Sequence, residues 1–421
     1  MILFTVFLLI IIALLGAPLF TVLAAGGVLA SVASSITPDI LIVEMNRLAS
    51  SPSMLAIPLF TFAGVLMSGG GAPGRLATFY RAALGWLPGG IAIAALAACA
   101  FFTAFSGASG VTILALGGLF YPILKSEGYG ENFSLGLLTT SGSLGLLFPP
   151  SLAILVYGIV AGVGIDQMFY AGIVPGLILL FILAGYSMLR GGQTKAIRHP
   201  FELRKLVSAT HGAIWDLFLP VGIVWGIFGG YVSIVEAAAV TAAYVMFVEI
   251  VIYREIKPGK QLYSLCVQTS ILVGSLLVIL LVALGLTNLL IDAQLPMKLL
   301  ALIQTHISSK LQFLLILNLF LLVVGAMMDI FSAIIVVVPL ILPLAIRYGI
   351  DPVHLGIIFL ANLEIGYSTP PVGINLFIAS QRFGKSVVTL FRSTLPFLGL
   401  MIFWLLLITY IPELSLWWRH N

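Results

Sequence analysis

Stretches of about twenty mainly apolar residues, the length needed to cross a bilayer, recur along this chain from Ile2 to Ile411. Apolar residues make up 61% of the 421 positions and charged residues only 8%, against about a quarter charged in an average soluble domain. No soluble fold hides that much apolar surface, and the runs leave room for roughly ten to twelve crossings. Gly (43) and Pro (21) are scattered through these runs, a pattern that suits broken or re-entrant helices better than the short alternating strands of a β-barrel. The run Met1–Val32 lacks a basic leader and is far longer than the apolar part of a secretory signal, so it reads as a first span.

The net charge of +4, from 19 basic and 15 acidic residues, is too small and too dispersed to suggest a nucleic-acid partner. It does orient the chain. Arg190, Lys195, Arg198, Arg204 and Lys205 form one basic cluster, and Arg254, Lys257 and Lys260 form another. Both are expected on the cytoplasmic side, with the terminal Trp417-Trp418-Arg419-His420. The two cysteines, Cys99 and Cys266, support neither a disulfide framework nor a cysteine metal site.

Compared with itself, the chain repeats. Setting Pro149-Pro150 on Pro370-Pro371 gives an offset of 221 residues, and the same register pairs Ile113 with Ile334, Pro122 with Pro343, Gly128 with Gly349, Gly145 with Gly366 and Leu155 with Leu376. The Gly and Pro matches carry the weight, because they fall where a backbone breaks or turns. A polar segment near residues 190–210 divides the chain, so the halves are expected at 1–205 and 206–421. Duplicated halves with Gly/Pro-interrupted apolar segments at matching positions point to a secondary transporter with its site between the repeats; a duplicated channel shares the pattern.

Each half carries two interrupted segments: Phe105–Thr112 and Ser141–Ser151 in the first, Gly325–Asp329 and Glu364–Asn375 in the second. Pro-Pro cannot continue a helix, so carbonyls upstream of it lose their partners. In hydrocarbon these groups need protein, water or an ion. Freed carbonyls, hydroxyls and a carboxylate together make the ligand set of a bound Na⁺. The plainer reading of any one Ser or Gly is close helix packing. Asp329, inside the apolar run from Phe313 to Ile346, marks a functional position by its depth, although its partner at the same offset is Ala108. Glu364 is open to reading as a ligand, a proton carrier or an interface residue. Arg47 precedes a re-entrant-looking segment, Met54–Met67, interrupted by Pro58 and Gly64. Its guanidinium fork suits an anionic substrate's carboxylate, or else it is a snorkelling interfacial anchor. Asp216, Glu236, Glu249 and Asp292 are expected near span ends or wet helix faces and take no role.

An enzyme is the contrasting class. Gly107-Ala108-Ser109-Gly110 has the Gly-x-Ser-Gly form of intramembrane serine proteases, which need a base within reach of the serine. The five histidines, His199, His211, His306, His354 and His420, are expected in loops, at span ends or at the terminus rather than buried in a span. The duplication would also go unexplained. No Gly-x-x-x-x-Gly-Lys-Ser/Thr loop is present, so an ATP motor would have to be another chain.

At these same residues the chain resembles the large membrane subunit, the DctM-like family, of the tripartite ATP-independent periplasmic (TRAP) transporters. The likeness runs through Ala56-Ile57-Pro58-Leu59-Phe60 with Ala63-Gly64, Phe105-Ser106-Gly107-Ala108-Ser109, Gly145–Ser151, Met328-Asp329 and Thr369–Phe377, and covers essentially the whole chain. It implies an all-α, polytopic integral membrane protein of the bacterial or archaeal inner membrane. The implied fold has two inverted repeats, each with a re-entrant helical hairpin, and a transport domain moving as an elevator against a scaffold. It implies Na⁺ as coupling ion with no organic cofactor, and three kinds of partner: a small four-helix membrane subunit, a periplasmic solute-binding protein and a small organic anion such as a C4-dicarboxylate, sugar acid or keto acid. Carried over by position, one Na⁺ site falls on Ser106, Gly107, Ser143, Gly145 and Pro149, a second on Gly325, Met328, Asp329, Gly366 and Thr369, and Arg47 takes the place of a substrate-binding arginine. Relatives often read Ser-Gly-Ser-Ser at the first tip, where Ala108 here removes a hydroxyl. The alternative within the class is a stand-alone ion-coupled symporter or exporter without a binding protein.

Overall fold

A chain surrounded by hydrocarbon must satisfy its backbone within its own segments, and helices do so with every amide but those at the ends. The computed structural model describes residues 11–12, 17–33, 37, 39–193, 200–292, 307 and 309–420, and among them there is no strand. The helices in chain order are α1 (Leu19–Ala33), α2 (Asp39–Ala49), α3 (Ala56–Gly69), α4 (Ala72–Leu84), α5 (Gly90–Ser106), α6 (Ser109–Ser126), α7 (Glu131–Ser141), α8 (Leu152–Ala161) and α9 (Ile165–Gln193). They continue as α10 (Leu203–Phe228), α11 (Ile234–Ile252), α12 (Lys260–Asp292), α13 (Lys310–Met327), α14 (Ile330–Arg347), α15 (Pro352–Gly366), α16 (Ile374–Phe383) and α17 (Val387–Tyr410). Among the described residues nine helices are long and apolar enough to cross a membrane, or ten if the pair bent by 46° at Pro149-Pro150 counts as one span. The expected first span, Met1–Val32, is described only in part, mainly as α1, and Lys195, Arg198, His199 and His306 lie outside the described residues.

Two groups of helices pack together. In one, α12 packs on α1, α2 and α3, while α11 packs on α3 and α10. In the other, α17 packs on α7, α13 on α15 and α14 on α8, with α9 lying against α5, α15 and α17. Each group therefore draws helices from both sides of the central polar segment. The amphipathic α4 bridges the groups, touching α10 on one side and α5 on the other. Several features recur at the 221-residue offset: Gly128 and Gly349 both have positive φ (87° and 69°), and Pro149-Pro150 and Pro370-Pro371 are both cis.

Two expectations are corrected. The segment Met54–Met67 is not interrupted at Pro58 or Gly64: from Ala56 it runs as the unbroken helix α3, within a candidate span of Pro52–Gly69. Pro58 falls in its first turn, where a missing N–H takes away no helical bond, and Gly64 lets the helix touch the end of α5, since a Cβ there would lie 2.4 Å from the Phe105 carbonyl oxygen. Asp216 and Glu249 are not on wet faces but buried, at 4% and 1% exposure. Both bind Arg75 of α4, which contacts Asp216 through Nε at 2.6 Å and Nη2 at 3.0 Å, Glu249 at 2.6 Å, and also Glu255. The guanidinium lies over the Tyr253 ring, 3.6 Å from its centroid, and the Gly71 amide donates to Glu255 at 2.6 Å. The start of α4 is thereby fastened to α10, α11 and the turn after α11.

Candidate functional site

The first hairpin tip forms because Gly107 follows α5 in the left-handed region (φ 63°), which glycine adopts without steric cost. Ala108 is extended and α6 starts at Ser109. Beneath the tip, the Thr112 hydroxyl donates to Thr103 at 2.6 Å, and the Thr103 hydroxyl donates to the Gly142 carbonyl at 2.8 Å. This ties both arms of the hairpin to the end of α7. The break that follows, a 3-10 turn over Leu144–Leu147 and then Pro149-Pro150, seats Gly145 directly on α5: a Cβ there would lie 2.3 Å from the Ala100 carbonyl and 2.4 Å from the Ala104 nitrogen. The last turns of α5, which end in Ser106 and Gly107, are thus seated on the break that holds Ser143 and Gly145. Pro149 lies in the same break, preceding the buried Ser151, whose hydroxyl has no partner among the described residues.

The second tip is built differently. Met328 is extended and Asp329 caps α14, its Oδ1 accepting from the Phe331 and Ser332 amides at 3.0 and 3.1 Å while the Ser332 hydroxyl donates to its Oδ2. The break after α15 docks on this tip through the main chain: Val372 and Gly373 both donate to the Ala326 carbonyl at 3.0 Å, and the Ile330 amide donates to the Tyr367 hydroxyl. Gly366 sits on Gly325, where a Cβ would lie 2.4 Å from the Gly325 carbonyl carbon. Gly325 and Gly366 therefore meet, with Asp329 following at the start of α14. Thr369 lies in the same break, with its hydroxyl donating to Ile365 at 2.9 Å.

Between the tips lies a cavity of about 330 Å³, walled by Gly107–Val111 on one side and Asp329–Phe331 on the other and backed by Leu146, Tyr367 and Ile374. A larger cavity of about 1000 Å³ lies elsewhere, between α4 and α10, lined by charged side chains that include the Arg75–Glu255 and Lys205–Glu202 pairs. Arg47 belongs to α2, but its side chain lies outside the described residues.

Oxygen donors of the kind that suit Na⁺ lie in and near both breaks. Buried oxygens without partners among the described residues include the Ser151 and Ser368 hydroxyls, the Asn375 Oδ1 and both carboxylate oxygens of Glu364, which is completely buried in α15. The two serines and Asn375 escape a reading of the sequence, because a small polar residue in an apolar helix looks the same whether it packs or coordinates. His354 lies at a helix end, in the first turn of α15, and is buried there at 2% exposure. Both its nitrogens are engaged, Nδ1 with the Ser415 hydroxyl at 2.6 Å and Nε2 with the Thr409 carbonyl at 3.3 Å. Among the described residues no hydrogen bond joins it to Ser109.

Comparison with known proteins bears on the whole chain. The family model described as tripartite ATP-independent periplasmic transporter, DctM component, matches residues 3–414. A C4-dicarboxylate TRAP transporter large permease protein from Vibrio cholerae is 36% identical over 394 residues, covering 88% of this chain and 86% of that protein. An ectoine TRAP transporter large permease protein from Halomonas elongata is 30% identical over 371 residues, covering 87% and 86%. Among solved structures, the YdaH transporter of Alcanivorax borkumensis superposes with a TM-score of 0.62 at 15% identity, over 89% of this chain and 87% of that one, a likeness of fold.

Proposed function

Because the chain belongs to the DctM family of tripartite ATP-independent periplasmic transporters, as a multi-pass large permease of the inner membrane, we propose that it takes up a small organic anion by Na⁺-coupled symport. The anion is received from a periplasmic solute-binding protein, and a small four-helix membrane subunit completes the permease. The observation that carries the reading is the convergence of two hairpin tips, one from each half, on a single cavity, each tip docked on a Pro-Pro break.

In this reading Ser106, Gly107, Ser143, Gly145 and Pro149 hold one Na⁺, and Gly325, Met328, Asp329, Gly366 and Thr369 hold the other. Bound there, Na⁺ supplies positive charge beside the cavity and satisfies polar groups that the helix breaks leave open. The chain's own part is to hold the tips: the Thr112–Thr103–Gly142 chain fixes the first, and the paired amides of Val372 and Gly373 on Ala326 fix the second. Ion and substrate binding are then coupled, because each selects the same closed arrangement of the tips. Arg47 meets the substrate's carboxylate together with amides at a hairpin tip. The helices α5–α9 and α13–α17 move as an elevator against α1–α3 and α10–α12, with α4 as the arm between them.

The deciding experiment reconstitutes the chain and its small subunit in proteoliposomes and follows radiolabelled organic acids with and without a Na⁺ gradient and the binding protein. Uptake that needs both additions supports the tripartite symporter. Uptake without the binding protein favours the stand-alone symporter, and uptake indifferent to both removes the reading.

A further inference from the structure

Two amides are buried between the helices that carry the second tip and its break. Asn362 of α15 donates through Nδ2 to Asn318 Oδ1 of α13 at 2.8 Å, and to the Ile358 carbonyl of its own helix at 2.8 Å. Asn318 in turn donates to the Thr409 hydroxyl of α17 at 3.2 Å. Asn318 is 4% exposed and Asn362 0%, and Asn362 Oδ1 has no partner among the described residues. Burying an amide with an oxygen left unsatisfied costs stability, and two leucines of similar shape would fill the space without that cost. Packing alone therefore does not account for the pair. What it supplies is register: apolar side chains on two helices fit together at several heights, whereas an amide pair bonds at one.

The height it sets is that of the glycines assigned above to the second Na⁺ site. Gly325 follows Asn318 by seven residues and Gly366 follows Asn362 by four, so each glycine shares a helix face with its asparagine. There the backbones touch: a Cβ on Gly325 would lie 2.9 Å from Leu363 Cα and 3.3 Å from the Asn362 carbonyl oxygen. The next residue, Ala326, accepts the Val372 and Gly373 amides of the break. The first half has no such pair, since the 221-residue offset puts Ala97 and Ser141 at these places.

We infer that Asn318 and Asn362 are positioning residues for the second Na⁺ site, their amide bond fixing α13 against α15 so that Gly325 and Gly366 meet at one height. This rests on the Na⁺ reading above and adds two residues that it does not use. Groups that hold an ion must stay within about 0.5 Å of their working geometry, and a slip of one residue along a helix is about 1.5 Å.

The test is Na⁺-dependent thermal stabilisation of the purified full chain with its small subunit, choline replacing Na⁺ at constant ionic strength. The double variant Asn318→Leu/Asn362→Leu should melt at or above the parent without Na⁺. Its Na⁺ concentration for half-maximal stabilisation should rise at least about tenfold, the usual loss when a group that orients a metal ligand is removed. In an Asp329→Asn background the leucine pair should add little, because both changes act on one site. A lowered melting temperature with an unchanged Na⁺ response, or a further full tenfold loss beside Asp329→Asn, would overturn the inference and leave the Na⁺ reading standing. A parent indifferent to Na⁺ would remove the ion site and the inference with it. Should the leucine pair fold poorly, Asn362→Ser keeps a hydroxyl for its own helix but is too short to reach Asn318, and the same rise is expected. An unchanged Na⁺ response in that folded variant would equally overturn the assignment.

Discussion

Asp329 does two things at once, capping α14 and placing a carboxylate at the second junction, and substitution can separate them. Asp329→Ala removes both, and the lost cap alone is expected to lower stability by about 0.5–2 kcal/mol. Asp329→Asn retains a good cap, so it should melt near the parent while Na⁺ stimulation of uptake falls at least about tenfold; unchanged Na⁺ stimulation would strike Asp329 from the ion site. The seating glycines make a second prediction. Gly145→Ala and Gly366→Ala force a methyl group to within 2.3–2.4 Å of backbone atoms, and each should cost about 1–3 kcal/mol as a depressed melting temperature. Gly274→Ala, in mid α12 with no neighbour within 4 Å, should be neutral or slightly stabilising. Asp329 was legible in the sequence because a carboxylate in an apolar run is conspicuous. Arg75 was not, since its partners lie 141, 174 and 180 residues away and nothing local announces them.

At the scale of elements, the Pro-Pro breaks and the interruptions near Gly107 and Asp329 could be read in advance, because proline and glycine interrupt helices for reasons that hold in any context. Pro58 misled for the same reason taken too far. A proline in a first turn begins a helix as readily as a proline further on ends one, and only the position of the start decides which. The role of α4 was invisible, because it depends on what its first turn touches. Arg75→Ala would leave Asp216 and Glu249 buried without their cation. A loss of about 3–5 kcal/mol is expected, seen as reduced yield and melting temperature in detergent. Arg75→Lys should recover little of it, because one ammonium cannot reproduce the fork that reaches three carboxylates. A lysine variant as stable as the parent would show that charge alone holds α4 in place.

In the whole molecule, the division near residues 190–210 is a division of sequence and not of space. The partners of α3 include α11, those of α7 include α17, and those of α8 include α14. The two parts, 1–196 and 197–421, made as separate chains in one cell, should therefore find each other and co-purify as a complex, with the Arg75 cluster spanning the cut. Recovery of either part as a stable species alone, with no association, would contradict that interlocking. Sequence periodicity could suggest that the parts are related, but their interleaving depends on long-range packing that single-chain patterns do not encode. A chain of half this length could wall a cavity with two tips only by pairing with a second copy of itself, and both tips would then be identical. A single covalent chain escapes that constraint: one tip is free to carry Asp329 while the other carries Ala108, and the vessel they enclose acquires a head and a tail.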